Sequence, residues 1–563
     1  MKNILRPLCA ALAAACVLSG CATRPAAPLE INLVALNDFH GHLEAGKFNY
    51  TSARDGKSAT IQAGGIPAIA AALQAWRHED KDLLFVGAGD LIGASPAMSS
   101  MWADEPSITA LNMMGMRVSS VGNHEFDQGR HELLRQQNGG CASPRPEKAC
   151  KLSLDFSGAR FTYLAANVLD SATGKPFLPA YRIEEAKGVK LAFIGAVLKD
   201  TASVVMASGI AGLSFVDEAD AINKTLAEVK AKGATVFVVL IHEGGSTEEA
   251  FDQPDCGKLK GPIVGIARRL DPALRLIISG HTHKGFQCKV DGRVITQAEM
   301  GGHVLSRIAL KIDPETRTLR DIAVRNVVMK QGEYPADEAV AAYLKSVKAR
   351  SDATLARPVA RVAAKSVTRK ANAAGETALG DLIADAVLAA TREQGARIAF
   401  MNVGGMRKDL DVGENLVSTY GQAQIVLPFA NTLVLMDMTG AQIRALLEQQ
   451  WTRPDVDADR RVLQVSRGFS YQWNDELPPG QKVLAGSMKL DGVPLDEART
   501  YRIVANNFLA EGGDNFHLFA QAANKMNTQI RDIDAFVAHL VKSDRAGTPA
   551  GSAAPAMRIE RVK

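Results

Sequence analysis

The sequence has little net charge: 65 lysines and arginines face 61 aspartates and glutamates, +4 in all. A nucleic-acid polymer is met by dense basic patches, and this balance gives no such footprint. An anionic substrate must instead be met locally. Long apolar runs are missing too. The stretch from Leu8 to Leu18 falls short of the ~20 residues that span a bilayer. No heptad run, collagen-like period, long low-complexity tract or internal repeat occurs, which excludes fibrous and solenoid architectures. Cysteine is scarce, with seven residues and no Cys-x-x-Cys spacing, so a thiolate zinc site has little support.

What is present is ordinary globular composition, 47% hydrophobic and 22% charged over 563 residues. That length exceeds what one core usually serves, so at least two domains are expected. Residues 1–20 read as a signal peptide: Lys2 and Arg6, then the apolar stretch, then Leu18-Ser19-Gly20-Cys21. Small residues before Cys21 resemble a bacterial lipoprotein processing site, with 21–28 as a tether. The expectation is an exported, periplasmic or surface lipoprotein, touching membrane only through Cys21. Plain secretion is the alternative. Cys9 and Cys16 leave with the signal, and Cys141, Cys150, Cys256 and Cys288 remain. An even number in an exported chain points to disulfides. Of three pairings, Cys141–Cys150 closes a Pro- and charge-rich loop, and Cys256–Cys288 staples the loops after His242 and His281.

From about 30 to 310, short apolar runs alternate with amphipathic stretches such as Ile66–Trp76 and Ala219–Ala231. The runs are Ile31–Leu36, Leu83–Val86, Val118–Val121, Leu191–Val197, Val236–Ile241 and Leu274–Ile278. Several are continuously apolar, as strands buried on both faces read. This predicts an α/β domain over 29–332, with helices covering a mixed sheet. A helix over Ala336–Arg350 then marks a linker, 333–362. A second α/β unit, 363–545, holds a helix from Thr377 to about Glu393 and strand-like runs at Ile425–Leu427, Leu433–Met436 and Tyr501–Val504. The tail, 546–563, rich in Ala, Gly, Ser and Pro, reads as disordered.

Five runs end in polar clusters. They run into Asn37-Asp38-Phe39-His40, Gly89-Asp90, Gly122-Asn123-His124-Glu125-Phe126-Asp127, His242-Glu243-Gly244 and Gly280-His281-Thr282-His283. Functional groups in open α/β sheets collect at the carboxyl ends of strands. Asp38 and His40 are two apart, so an extended segment points them the same way, and His281 with His283 repeats the spacing. Mixed nitrogen and carboxylate donors suit zinc, manganese or iron rather than calcium. A carboxylate such as Asp90 can bridge two cations.

This ordered set closely resembles the calcineurin-like metallophosphoesterases, and Asn123-His124-Glu125-Phe126-Asp127 resembles their 5′-nucleotidase branch. The resemblance covers nearly the whole mature chain. It implies a four-layer αββα catalytic domain followed by an α/β substrate-binding domain. It implies two divalent metal ions, Zn, Mn or similar. Asp38, His40, Asp90 and His283 would hold the first, and Asp90, Asn123, His242 and His281 the second. His124 would act on the phosphoryl group or its leaving oxygen, with Asp127 orienting it. Some relatives have Gln where this chain has His283, which bears on metal preference. His42 reads as solvent-facing or supporting, and His78, His131, His303, His517 and His539 have no clustered partners.

The second unit carries Asn402-Val403-Gly404-Gly405-Met406-Arg407, Pro428-Phe429-Ala430-Asn431 and Phe508 through Asp514. Paired glycines let backbone approach a ligand, and arginine suits phosphate. The resemblance implies that Phe429 and Phe508 clamp a nucleobase and Asn431 contacts its ring. Asp514 would take the ribose, and Arg407 with Asn402 the phosphate or ribose side. Relatives often place a further arginine just before the second unit's first helix; here the nearest is Arg369, which carries that role only weakly.

The expected activity is hydrolysis of nucleoside 5′-monophosphates, with no nucleic-acid polymer as partner. Alternatives at the same site are a 2′,3′-cyclic nucleotide phosphodiesterase or a UDP-sugar hydrolase. A thiosulfohydrolase shares the architecture, but the Phe429/Phe508 pair argues against it. A non-enzymatic surface-binding lipoprotein is the reading of another class, opposed by the intact ligand set.

Overall fold

The computed structural model describes residues 28–54, 56–452 and 462–562. The signal peptide, Cys21 and nearly all of the tether lie outside the described residues.

The first unit is built on two six-stranded sheets. One runs in the order Leu319–Val328, Val304–Ile312, Leu29–Leu36, Leu84–Ala88, Met116–Ser120, Thr162–Leu164. The other runs Gly285–Val290, Arg293–Ala298, Leu276–Ser279, Val236–His242, Val189–Val197, Tyr181–Ala186. Each has a parallel centre and antiparallel strands toward an edge. The alternation of side chains sorts the layers. Leu33, Ala35, Val86, Phe193, Val238 and Ile278 meet between the two sheets. Val34, Leu36 and Phe85 face outward onto Ile69, Leu73 and Trp76 of the helix Ile66–Glu79. Ile194, Val239 and Ile277 face the other way, onto Ile222 and Leu226 of the helix Glu218–Ala231. Helix, sheet, sheet, helix is the four-layer arrangement expected, and strands buried on both faces explain the unbroken apolar runs.

Helix ends follow local chemistry. Asp217 accepts from Asp220 N at the start of Glu218–Ala231, and Asp337 accepts from Val340 N at the start of the linker helix Glu338–Leu355, each satisfying an otherwise unpaired amide. The linker helix runs beyond Arg350. It is no free connector: Val340 and Val347 are buried in the first unit's core, and Trp102 Nε1 donates to Ser351 Oγ at 2.8 Å. It stops shortly before Pro358, because the residue preceding a proline disfavours helical backbone.

The second unit has a five-stranded sheet ordered Gln464–Val465, Ile398–Met401, Thr500–Asn506, Thr432–Thr439, Ala523–Arg531. The helix Ala378–Thr391 packs on it through Leu379, Ile383 and Val387. Two expectations are corrected here. Ile425–Leu427 is not a strand but the end of the helix Tyr420–Val426, whose start is fixed by a Thr419/Gln422 capping box. Three apolar residues cannot distinguish the two states; the cap upstream does. The tail is ordered rather than disordered. Ile559–Val562 pairs in parallel with Phe469–Asn474, Ile559 is fully buried, and Arg558 grips Asp385 through two bonds of 2.8 Å. One charged and one apolar anchor outweigh a composition poor in packing residues. Both expected disulfides, Cys141–Cys150 and Cys256–Cys288, are formed.

The two units touch. Glu511 of the second accepts from Ser208 N at 2.9 Å and Ser208 Oγ at 3.0 Å. Asn507 Nδ2 lies 2.8 Å from Met206 Sδ.

Candidate metal centre and adjoining cleft

The polar strand ends converge. Asp38, His40, Asp90 and His283 offer donor atoms that all lie within 4.8 Å of one another, and so do Asp90, His242 and His281. Asp90 belongs to both groups. In the first, His40 Nε2 stands 3.0 Å from His283 Nε2 and 3.7 Å from Asp90 Oδ2, while His283 Nε2 is 3.4 Å from Asp38 Oδ1. In the second, His242 Nε2 lies 2.9 Å from Asp90 Oδ2, and Asn123 Oδ1 lies 3.1 Å from His281 Nδ1.

Backbone geometry aims these groups. Asp38, His40, Asp90, His281 and His283 all have positive φ, between 46° and 76°. Non-glycine residues adopt this left-handed region at a cost of about 1–3 kcal/mol, and its concentration here marks a constrained site. The flanking glycines are required by crowding: a Cβ on Gly89 would stand 2.7 Å from His242 Nδ1, and one on Gly280 2.8 Å from the same atom.

Outer contacts fix the imidazoles. His40 Nδ1 bonds Gly93 O at 2.9 Å and His242 Nδ1 bonds Ala88 O at 2.8 Å. Each carbonyl accepts a hydrogen bond from Nδ1–H, so that in the neutral ring the Nε2 lone pair points inward, the arrangement of a metal-ligating histidine. The buried His242 Nε2 has no hydrogen-bond partner of acceptable geometry. Asp38 is held by Asn37 Nδ2 at 2.7 Å and by His281 N at 3.0 Å. Imidazole nitrogens and carboxylate oxygens that converge within 4.8 Å fit divalent cations, which would accept the nitrogen lone pairs and balance the carboxylate charge.

The electrostatics agree. Burial lowers His40 well below its ordinary value and takes His281 down to about 3, favouring the neutral, ligand-competent ring. Burial opposes charge on His242 too, but Asp90 overrides it and brings the ring up to about 10. Burial likewise opposes ionisation of Asp90, yet His242 and His124 hold it well below the usual carboxylate range. His242 and Asp90 thus act as an ion pair where a cation would take the proton's place.

His124 joins neither group. Its Nδ1 bonds Asp127 Oδ2 at 2.8 Å, and its backbone N donates to Asp90 Oδ1 at 2.9 Å. Burial opposes its protonation, but Asp127 and Asp90 raise its pKa on balance. Phe429 of the second unit lies nearly parallel to it, centroids 5.8 Å apart and planes at 12°. Arg407 sits 5.9 Å from the centroid of the Phe429 ring. A polar cleft between the units is lined by Gly93, Ser95, His124, Asp127, Pro428 and Phe429.

The remaining residues expected to bind substrate lie on the second unit. Asn402 Nδ2 donates to Asp514 Oδ2 at 2.7 Å. Gly404 lies beside that carboxylate, and a side chain on Gly405 would strike Met401 and Asn402. Phe508 packs over Gly513. Among the described residues Phe429 and Phe508 make no ring contact with each other, and Asn431 is placed by its carbonyl, which accepts from Asp532 N at 2.8 Å. Arg369 donates to Met406 O at 2.7 Å, bracing the loop that carries Arg407. His303, read as isolated, stacks on Phe48 at 5.0 Å and stands 6.4 Å from His42. Sequence reasoning quoted Asn37 and Glu125 inside their motifs but gave neither a role, and it missed the Ser208–Glu511 contact, which carries no sequence signal.

Comparison with known proteins accords with this geometry. The calcineurin-like phosphoesterase family matches residues 31–285, and the 5′-nucleotidase C-terminal domain matches 353–521. The endonuclease YhcR of Bacillus subtilis is 31% identical over 526 residues, 93% of this chain and 40% of that protein, so the chain spans about two fifths of that relative's length. A 5′-nucleotidase of Vibrio vulnificus is 27% identical over 571 residues, 93% of this chain and 94% of that one. The crystal structure of a 5′-nucleotidase precursor from Thermus thermophilus superposes with a TM-score of 0.72 at 26% identity, covering 95% of this chain and all of that one. The first match holds the converging strand ends and the second holds Arg407 and Phe429, so the chain belongs to the calcineurin-like phosphoesterases with a 5′-nucleotidase C-terminal domain and is a phosphoric ester hydrolase.

Proposed function

We propose that the chain hydrolyses nucleoside 5′-monophosphates to nucleoside and phosphate at a dinuclear metal centre. The carrying observation is that Asp90 belongs to both ligand groups, as a carboxylate bridging two cations would. Asp38, His40, Asp90 and His283 would hold one cation; Asp90, Asn123, His242 and His281 would hold the other. Bound there, zinc, manganese or similar ions supply Lewis-acid polarisation of the phosphoryl oxygens and a water of lowered pKa.

The chain's own groups do the rest. His124, its Nδ1 proton held by Asp127, presents Nε2 to the departing ester oxygen as proton donor. Arg407 meets the phosphate, aided by Asn402, with Gly404 and Gly405 allowing close backbone approach. Phe429 and Phe508 take the base, Asn431 its ring edge and Asp514 the ribose hydroxyls. Export and lipidation at Cys21 complete the proposal, placing the activity outside the cytoplasm.

The endonuclease relative favours one second reading, phosphodiester cleavage at the same centre. Product analysis on AMP, UDP-glucose and 2′,3′-cyclic AMP, each with and without Mn²⁺ or Zn²⁺, tests both: adenosine and phosphate form from the first, a nucleoside monophosphate from each of the others. AMP should be turned over fastest and only with metal. Preference for the cyclic diester or nucleotide sugar would overturn the monophosphate assignment.

A further inference from the structure

Glu125 sits inside the Asn123–Asp127 segment, yet no role in ligation or proton transfer falls to it. Its side chain is 2% exposed. Oε2 accepts from Asp90 N at 2.9 Å and from Gly122 N at 2.5 Å. Oε1 accepts from Leu91 N at 2.8 Å and Ile92 N at 3.3 Å, with Tyr163 Oη at 3.5 Å. One carboxylate therefore gathers four backbone amides from two loops. The first loop follows the strand Leu84–Ala88 and carries Asp90. The second follows Met116–Ser120 and carries Asn123 and His124.

The clamp is reciprocal. Asp90 Oδ1 accepts from His124 N at 2.9 Å, so the side chain of the first loop holds the backbone of the second, while Glu125 of the second holds the backbone of the first. Asp90 has φ of 49°, a conformation that persists only where surroundings impose it. Three successive amides, at 90, 91 and 92, turned onto one anion supply that imposition. Four backbone N–H groups point at the two oxygens, and a carboxylate can accept all of them.

We infer that Glu125 is a positioning residue that sets the spacing of the two ligand loops, and through it the aim of Asp90 and the reach of His124. The inference rests on the metal reading of the site. It acts through other residues and touches neither cation nor substrate.

The test is Glu125→Gln in the full chain. Glutamine places an NH₂ donor against backbone amides and must open one loop from the other. Affinity for Zn²⁺ and Mn²⁺ is measured by chelator competition without substrate, alongside kcat and KM for AMP and an aryl phosphate and the midpoint of thermal unfolding of metal-free protein. Metal affinity should fall about 10–100-fold, the usual cost of removing a group that orients ligands. At saturating metal, kcat should fall by a similar factor on both substrates, with KM within about threefold. A lower unfolding midpoint with metal affinity and kcat within about twofold of wild type would show a purely structural role and overturn the inference. Should Glu125→Gln fail to fold, Glu125→Asp, one methylene shorter, is judged by the same two quantities. Because metal affinity is read without nucleotide, failure of wild type to hydrolyse AMP would sink the proposed function and leave this test standing.

Discussion

Asp90 has two obligations and two oxygens. It is shared by both ligand groups, and its Oδ1 also anchors His124 N. Asp90→Asn removes the anionic charge of the proposed bridge while keeping its shape. Turnover should drop to near background, and metal analysis should find fewer than two equivalents per chain. Two full equivalents in an inactive variant would remove the bridging role. His124 differs in kind: it is paired with Asp127 and belongs to neither group. His124→Ala should retain metal content and lower kcat by about 10²–10⁴, the range for a positioned acid–base group. Metal loss on that substitution would make it a ligand instead.

At the scale of elements, the linker helix belongs to the first unit. Val340 and Val347 fill that core and Trp102 bonds Ser351. A fragment of residues 29–332 leaves that face open, whereas 29–356 covers it. The longer fragment should unfold several degrees higher and bind metal; equal midpoints would show the helix to be a passive connector. The tail makes a second claim. Asp381 accepts from Ala556 N at 2.7 Å, and burial, with Glu376 adding, pushes its carboxyl up to about 7. A raised carboxyl is protonated in the folded state and ionised in the unfolded one between about pH 4 and 7, so stability falls as pH rises through that window. Asp381→Asn abolishes this term. Its unfolding midpoint, relative to wild type, should climb from pH 4 to 7; a difference independent of pH would discount the burial effect.

Elements also show what sequence makes legible. Strands buried on both faces are continuous apolar runs, and candidate ligands sit where those runs break into Asp, Asn and His, so six of the twelve strands of the first unit's two sheets and the ligand clusters could be read directly, while strands such as Gly285–Val290 and Leu319–Val328 could not. The tail could not, because Arg558 and Ile559 gain meaning only from Asp385 and the strand Phe469–Asn474. Positive φ at His40 or Asp90 leaves no trace in composition, since the strained residue is chosen for its donor atom. The same holds for Glu125: its four amide partners come from turns whose closeness only the folded sheet creates.

For the whole molecule the decisive relation is between units. Phe429 belongs to the second yet lies flat beside His124 of the first, while Phe508 packs over Gly513 away from that ring. The Ser208–Glu511 and Met206–Asn507 contacts hold the units together next to Phe508. The two phenylalanines should therefore fail differently. In the proposed nucleotide site Phe508 stacks on the base, so Phe508→Ala should lower kcat/KM for AMP about 5- to 150-fold, the equivalent of ~1–3 kcal/mol for a base stacked on an aromatic ring. An aryl phosphate without a purine should lose less than about threefold. Phe429→Ala also frees the face of His124, so it should lower kcat on both substrates and add a further loss on AMP alone. Parallel rates over the two substrates separate the effects. If Phe508→Ala costs the aryl phosphate as much as AMP, that ring is a packing residue of the second unit, and nucleotide recognition must be sought elsewhere in the cleft.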